Sequence, residues 1–261
     1  MTEGLQHLLP HAAGFAMVLA RLSGLFIFGP LLSSVAIPMR IKALFVAAMA
    51  CAVYPVVSAE SFVPPSPDLF SIAGAFVMEV GIGVVIGVLA AVPLLAMEMA
   101  GVLIGQQMGL GLARVFNPEV DFDTDLVGQL LFYIAAGAFL AAGGIETMFG
   151  SVVETFRLVP PGGFHPSSTP LDLLLGIVAG GYELAWRVAA PVTAMIMLMF
   201  ISMGVIGKTM PQINIMSVGF TAKVLGGLTV LTASVYAAHG AVLDHVTASL
   251  RAVVRWAAGA F

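Results

Sequence analysis

Long apolar stretches, interrupted by Pro, Gly and an occasional charge, set the strongest limit on how this chain can fold. A bilayer core takes about 20 apolar residues to cross as a helix, and inside it each backbone polar group must be satisfied within the protein. The chain therefore reads as an all-α integral membrane protein of about six long, kinked apolar helical regions. The first covers about Ala12 to Leu32, carries Arg21 and stops near Gly29-Pro30, because proline disfavours a continuing helix. Ile37-Pro38 opens the second, about Met39 to Val57, and Ser58 to Asp68, with Pro64, Pro65 and Pro67, reads as an exposed loop. The third, from Leu69 to about Gln106, is too long for one simple crossing, and Pro93 is expected to kink or divide it.

The polar stretch Arg114 to Asp125 then breaks the pattern. Its acids Glu119, Asp121, Asp123 and Asp125 would be costly in lipid and must face water or protein. A fourth region, Leu126 to Phe156, contains Glu146 and Glu154 and ends in the turn-forming Val159-Pro160-Pro161-Gly162-Gly163. The fifth spans about Leu171 to Ile206. The last follows Pro211 and runs to the end, with a bend expected near His239-Gly240. No linker separates these pieces, so one domain over residues 1–261 is expected. With six plain crossings, Arg40 and Lys42 would hold the first connection in the cytoplasm, and Arg114 and Lys208 agree. Arg157, Arg251 and Arg255 would then fall outside, so the distribution of basic residues barely decides orientation. Helices packed mainly against protein fit these misplaced charges.

Composition excludes several functions. Charged residues make up 9% of the chain, against about 25% in soluble domains. A net charge of -4 offers nothing to a nucleic-acid backbone. Cys51 is the single cysteine, so no internal disulfide or cysteine metal cluster can form, and it is expected as a small buried core residue. Met1 to His11 carries Glu3 and no Lys or Arg, unlike the basic start of a secretory signal, so the mature chain is expected to begin near Met1. His7, His11, His165, His239 and His245 make no convincing metal set, and no cofactor site is expected. No nucleophile elbow, His-Glu-x-x-His or phosphate-binding glycine loop is present, so catalysis is not expected.

Some residues stand out against the apolar background. Gly83 and Gly87, then Gly101, Gly105 and Gly109, recur at four-residue spacing and put missing side chains on one helical face, where another backbone can approach closely. Packing within the chain and contact between subunits are both consistent with that ladder. Glu79, Glu98, Glu183, Arg187 and Lys223 lie inside apolar sequence, where ionisable groups are rare unless paired or wet. Glu183 and Arg187 are four apart, which favours a pair on one helical face over a proton relay. For Glu79 and Glu98 two readings stand: a proton or ion path, or a hydrogen bond to a neighbouring subunit. Met195, Met197, Met199 and Met203, followed by Met210 and Met216, crowd one interval. Methionine adapts to irregular apolar surfaces, so these residues either fill a core or form a yielding seal around passing polypeptide.

Several segments resemble the FliR family of flagellar export proteins, whose type III secretion counterparts are called SctT. They are Arg21-Leu22-Ser23-Gly24 leading to Pro30, Ile37-Pro38-Met39-Arg40-Ile41-Lys42, and Glu79-Val80-Gly81-Ile82-Gly83. Glu98-Met99-Ala100-Gly101 and Gln106-Gln107-Met108-Gly109-Leu110-Gly111 follow, ending with Asn117-Pro118. Thr155-Phe156-Arg157-Leu158-Val159-Pro160, Pro211-Gln212-Ile213-Asn214 and Val218-Gly219-Phe220 continue the likeness, which covers most of the chain. The chain departs from the pattern at Gly144-Ile145, where the family commonly has Gly-His, and at Lys208, near which it commonly has Arg.

The resemblance implies a subunit that assembles helically with FliP and FliQ homologues. It also implies a FliP-like part over about 1–205 joined to a FliQ-like part over about 206–261, with an FlhB homologue at the entrance. Unfolded flagellar proteins would be the cargo, and the bacterial inner membrane within the flagellar basal body the location. It further implies that Gln106 to Asn117 plugs the closed pore, with Gly109 and Gly111 loosening the backbone and Met108, Leu110 and Phe116 as apolar blocking groups. A simple connecting loop is the plainer alternative. A small-molecule or ion transporter is the competing function, since Pro93 and the acids Glu79 and Glu98 also suit one, although no internal repeat supports it.

Overall fold

The computed structural model describes residues 2–57, 69–110, 126–163, 171–210, 212 and 214–257. Among them the chain is all helix: α1 (Thr2–Phe28), α2 (Met39–Val53), α3 (Leu69–Met108), α4 (Leu126–Ala141), α5 (Gly144–Leu158), α6 (Leu171–Thr209) and α7 (Ile215–Ala257). Seven helices thus replace six regions, because the fourth region breaks in two. Gly143 takes φ 70, a left-handed conformation open to glycine, and its N–H closes onto the Leu140 carbonyl to end α4. α1 ends where the Gly29 N–H reaches the Leu25 carbonyl at 2.7 Å, and Leu31 follows at φ 67.

Two expected bends do not divide their helices. Pro93 lies inside α3, which continues through it, and α7 runs through His239-Gly240 without a break. α6 contains Pro191 in the same way. A proline removes one hydrogen bond per helix, which a long helix held by its neighbours tolerates.

Among the described residues, α3, α6 and α7 are long and apolar enough to span a membrane, or four spans result if the broken pair α4 and α5 is counted as one. With 40, 39 and 43 residues, the three long helices each reach about 60 Å, twice a bilayer's hydrocarbon thickness.

The chain forms two compact units, each assembled from separate segments. The first comprises Met1–Val92, Leu140–Ile177 and Thr247–Phe261; the second comprises Pro93–Phe139 and Val178–Val246. In the first, α1 and α3 cross so closely that glycine is required. A methyl group at Gly83 would collide with the Arg21 carbonyl, one at Gly24 with the Val80 carbonyl, and one at Gly87 would lie 2.8 Å from the Gly29 nitrogen. The rings of Phe26, Phe45 and Phe149 cluster beside this crossing, with centroids 5.7 to 6.3 Å apart. α2 buries only the stripe Val46, Ala50 and Val53. Cys51 falls off that stripe and is exposed, contrary to its expected place in the core. In the second unit, a methyl at Gly101 would lie 2.5 Å from the Gly128 Cα, so α3 and α4 also meet backbone to backbone. The glycine spacing therefore serves packing within the chain at Gly83, Gly87 and Gly101.

Candidate functional site

The first unit is organised around a buried ion pair. Arg21 lies in the apolar interval that gives α1 its buried face, and its side chain is wholly enclosed. A guanidinium removed from water must place its N–H groups on acceptors, and each of its three nitrogens does so. Nε donates to Glu79 Oε2 at 2.7 Å, Nη1 to Thr155 Oγ1 at 3.0 Å, and Nη2 to the Val159 carbonyl at 3.0 Å. The guanidinium also lies 4.0 Å from the centroid of the Phe156 ring, a cation–π arrangement. Glu79 Oε1 accepts the Gly162 N–H at 2.9 Å. One residue pair thus ties α1 and α3 to the end of α5 and to the turn after it.

This places Glu79 against a partner inside its own chain, although 58 positions separate the two residues. The signal was present in the sequence: Arg21 and Glu79 are each an isolated charge of opposite sign in separate apolar runs. Sequence spacing alone could not bring them together.

The other charges have different settings. Arg187 Nη2 donates to Glu183 Oε1 at 2.6 Å along α6, with both side chains more than 60% exposed, so this pair contributes little stability. Glu98 is half-buried and forms no salt bridge among the described residues. Lys223 stands 5.2 Å from the centroid of the Phe200 ring.

In the second unit, α3 ends differently from the loose loop expected from Gln106 onward. Gln106, Gln107 and Met108 form its last turn, and Gly109 takes φ 83. The Leu110 N–H reaches the Gly105 carbonyl and the Gly109 N–H the Gln106 carbonyl, each at 3.1 Å, which is a Schellman cap. Gly109 therefore terminates a helix tightly. Met108 is fully buried, with its side chain filling the space beside Gly227 of α7, and so is committed to packing. Gly111 and Phe116 lie outside the described residues. Beside this helix end, a cavity of about 900 Å³ is lined by Met108, Gly109, Phe200, Met203, Phe220 and Lys223, among others.

The methionines divide by helical face. Met195 and Met199 lie against Gly226, and Met203 against Gly219, so three residues four apart fill the seam between α6 and α7. Met197 points away and is 62% exposed. Among the described residues no group of three or more His, Cys, Asp or Glu could hold a metal ion.

The family model for bacterial export proteins, family 1, matches residues 12–248. The chain belongs to this family. Within it, the chain is 27% identical over 220 residues to the flagellar biosynthetic protein FliR of Caulobacter vibrioides, covering 84% of this chain and 87% of that one. It is 28% identical over 227 residues to the surface presentation of antigens protein SpaR of Salmonella typhimurium, covering 86% and 82%. It is 23% identical over 212 residues to the Yop proteins translocation protein T of Yersinia pestis, covering 80% of each. These FliR/SctT relatives are export-apparatus proteins of flagella and type III secretion, and the family is a structural component of such apparatus. The apolar helices place this family member in a membrane.

Proposed function

We propose that this chain is a subunit of the flagellar type III protein-export gate, forming with FliP and FliQ homologues the channel through which unfolded flagellar proteins are secreted. The match to an export family over residues 12–248 carries this reading. The membrane would be the bacterial inner membrane, at the flagellar basal body, with an FlhB homologue beside the gate. The chain would contribute no catalysis. A FliP-like part over about 1–205 and a FliQ-like part over about 206–261 remain our reading of its ancestry. Helices of about 60 Å support a gate that rises out of the membrane plane, since a simple crossing needs half that length.

The stretch from Gln106 to Asn117 is the proposed plug of the closed pore, with Met108 and the Gly109 cap as its rigid base and the blocking groups Leu110 and Phe116 beyond them. Met195, Met199 and Met203 are the alternative seal, although their contacts with α7 favour packing. The transporter reading loses one of its two candidate acids, because Glu79 is fixed by Arg21. Affinity purification in mild detergent tests the assignment: FliP and FliQ homologues should copurify with the chain. A reproducible monomer that moves small solutes in liposomes would overturn it. For the plug, shortening residues 111–116 should raise ion conductance of the assembled complex in planar bilayers while leaving assembly intact; complexes as tight as wild type would locate the seal elsewhere.

A further inference from the structure

At the far end of α7, within the first unit, an open groove of about 700 Å³ runs between the last turns of that helix and the start of α5. Its chemistry is two-sided. Arg251 and Arg255 line it four residues apart, hence on one face of α7 and about 6 Å along its axis. Both are exposed, and neither forms a salt bridge among the described residues. Arg251 Nη2 donates a long hydrogen bond, 3.3 Å, to Thr247 Oγ1. Two guanidinium forks are therefore open to an anion, and a tetrahedral phosphate presents the oxygens that such forks bind bidentately. Glu146, next in sequence to the groove-lining Thr147, does not itself line the groove.

The rest of the lining is mainly apolar, with Ala142, Ala248, Leu250 and Val254 beside the hydroxyl side chains Thr147 and Thr247. Leu250 is buried at its base, and Val254, at 48% exposure, stands beside the arginines. A free phosphate would leave Leu250 and Val254 without an apolar neighbour, whereas a lipid carries its phosphate next to glycerol and acyl chains. The position agrees, because the groove opens at the end of an apolar helix that can span a membrane, and basic grooves at that level recognise acidic headgroups. With Arg157, these are also the arginines that fall outside when six plain crossings keep Arg40 and Lys42 in the cytoplasm. We infer that this groove is a binding site for an anionic phospholipid, with the Arg251 and Arg255 guanidiniums holding its phosphodiester and Leu250 and Val254 receiving its apolar portion.

Native mass spectrometry of the full chain in detergent, titrated with dioleoyl phosphatidylglycerol or dioleoyl phosphatidylcholine, tests the site. Phosphatidylglycerol should bind about 30-fold more tightly, as two arginines at a membrane surface would give. R251Q/R255Q should abolish that preference, R251K/R255K, which keeps the charge without the fork, should keep only part of it, and R157Q, at an exposed arginine paired with Glu154, should leave it unchanged. Both substituted arginines are exposed, so helix content measured by circular dichroism should not change. Equal affinity for the two lipids, or an undiminished preference in R251Q/R255Q, would overturn the site. Competition by inorganic phosphate at the affinity of the lipid would reduce it to a plain anion site and overturn the lipid assignment. A preference in the lysine variant as strong as in wild type would show that charge alone suffices and would overturn the guanidinium assignment.

Discussion

A charge in apolar surroundings persists only when its hydrogen-bonding groups are matched, and Arg21 shows how completely this chain does so. Its three nitrogens each have an acceptor, and its partner Glu79 has a second donor in the Gly162 N–H. Removing one member leaves the other buried and unpaired, which typically costs about 3–5 kcal/mol. Arg21→Met and Glu79→Leu should therefore each lower the thermal midpoint of the detergent-solubilised chain sharply. The double variant should be more stable than either single one, because no uncompensated charge remains. Strictly additive losses in that cycle would show that the pair is not coupled. Glu79 was legible in the sequence as a lone charge in an apolar run, whereas Arg21 entered only as part of the first region and of the family-like segment. Their pairing was not legible, because it is set by how α1 and α3 cross, and a linear pattern carries no such distance.

Among the elements, the long apolar runs were legible because a helix in lipid leaves an unmistakable length of hydrophobic sequence. Their interruptions were less so. Pro93, read as a kink or a divider, lies within an unbroken α3, although the boundary between the two compact units falls between Val92 and Pro93, while the break in the fourth region falls at Gly143, three residues before Glu146. The glycine spacing announced close approach correctly but could not say to what; Gly83 meets the backbone of α1, and Gly81 faces open space on the same helix. These two positions separate packing from propensity. Gly83→Ala should cost about 1–3 kcal/mol through forced overpacking. Gly81→Ala should be neutral or stabilise by up to about 1 kcal/mol, since alanine is the better helix former. At the break, Gly143→Ala must hold a non-glycine residue at φ 70 and should cost about 1–2 kcal/mol. Midpoints from denaturation in one detergent would rank the three; equal effects at Gly81 and Gly83 would remove the crossing as the reason for the glycine.

For the molecule as a whole, α6 and α7 leave much of their apolar surface uncovered by the rest of the chain. In their most hydrophobic windows 17% and 22% of residues are buried, against 67% in α3. The sequence made all three look alike, because burial in protein and burial in lipid select the same side chains. On a chain of this family, surface of that kind must meet either lipid or neighbouring subunits, and contact with neighbouring subunits follows from the proposed gate. Leu198 and Leu225, 66% and 63% exposed, distinguish the two. A glutamate at either position does not disturb the chain's own core, so the isolated fold should tolerate it in detergent. Against a partner's apolar face, an unpaired carboxylate would be buried and should cost several kcal/mol. Leu198→Glu and Leu225→Glu should therefore leave the stability of the isolated chain within about 0.5 kcal/mol of wild type, while the yield of complex with coexpressed FliP and FliQ homologues falls severely. By contrast Leu231→Glu, at a buried position on α7, should destabilise the chain even alone. Full complex yield with both exposed positions changed to glutamate would mean that neither faces a partner, and lipid or water would then be the neighbour of this surface.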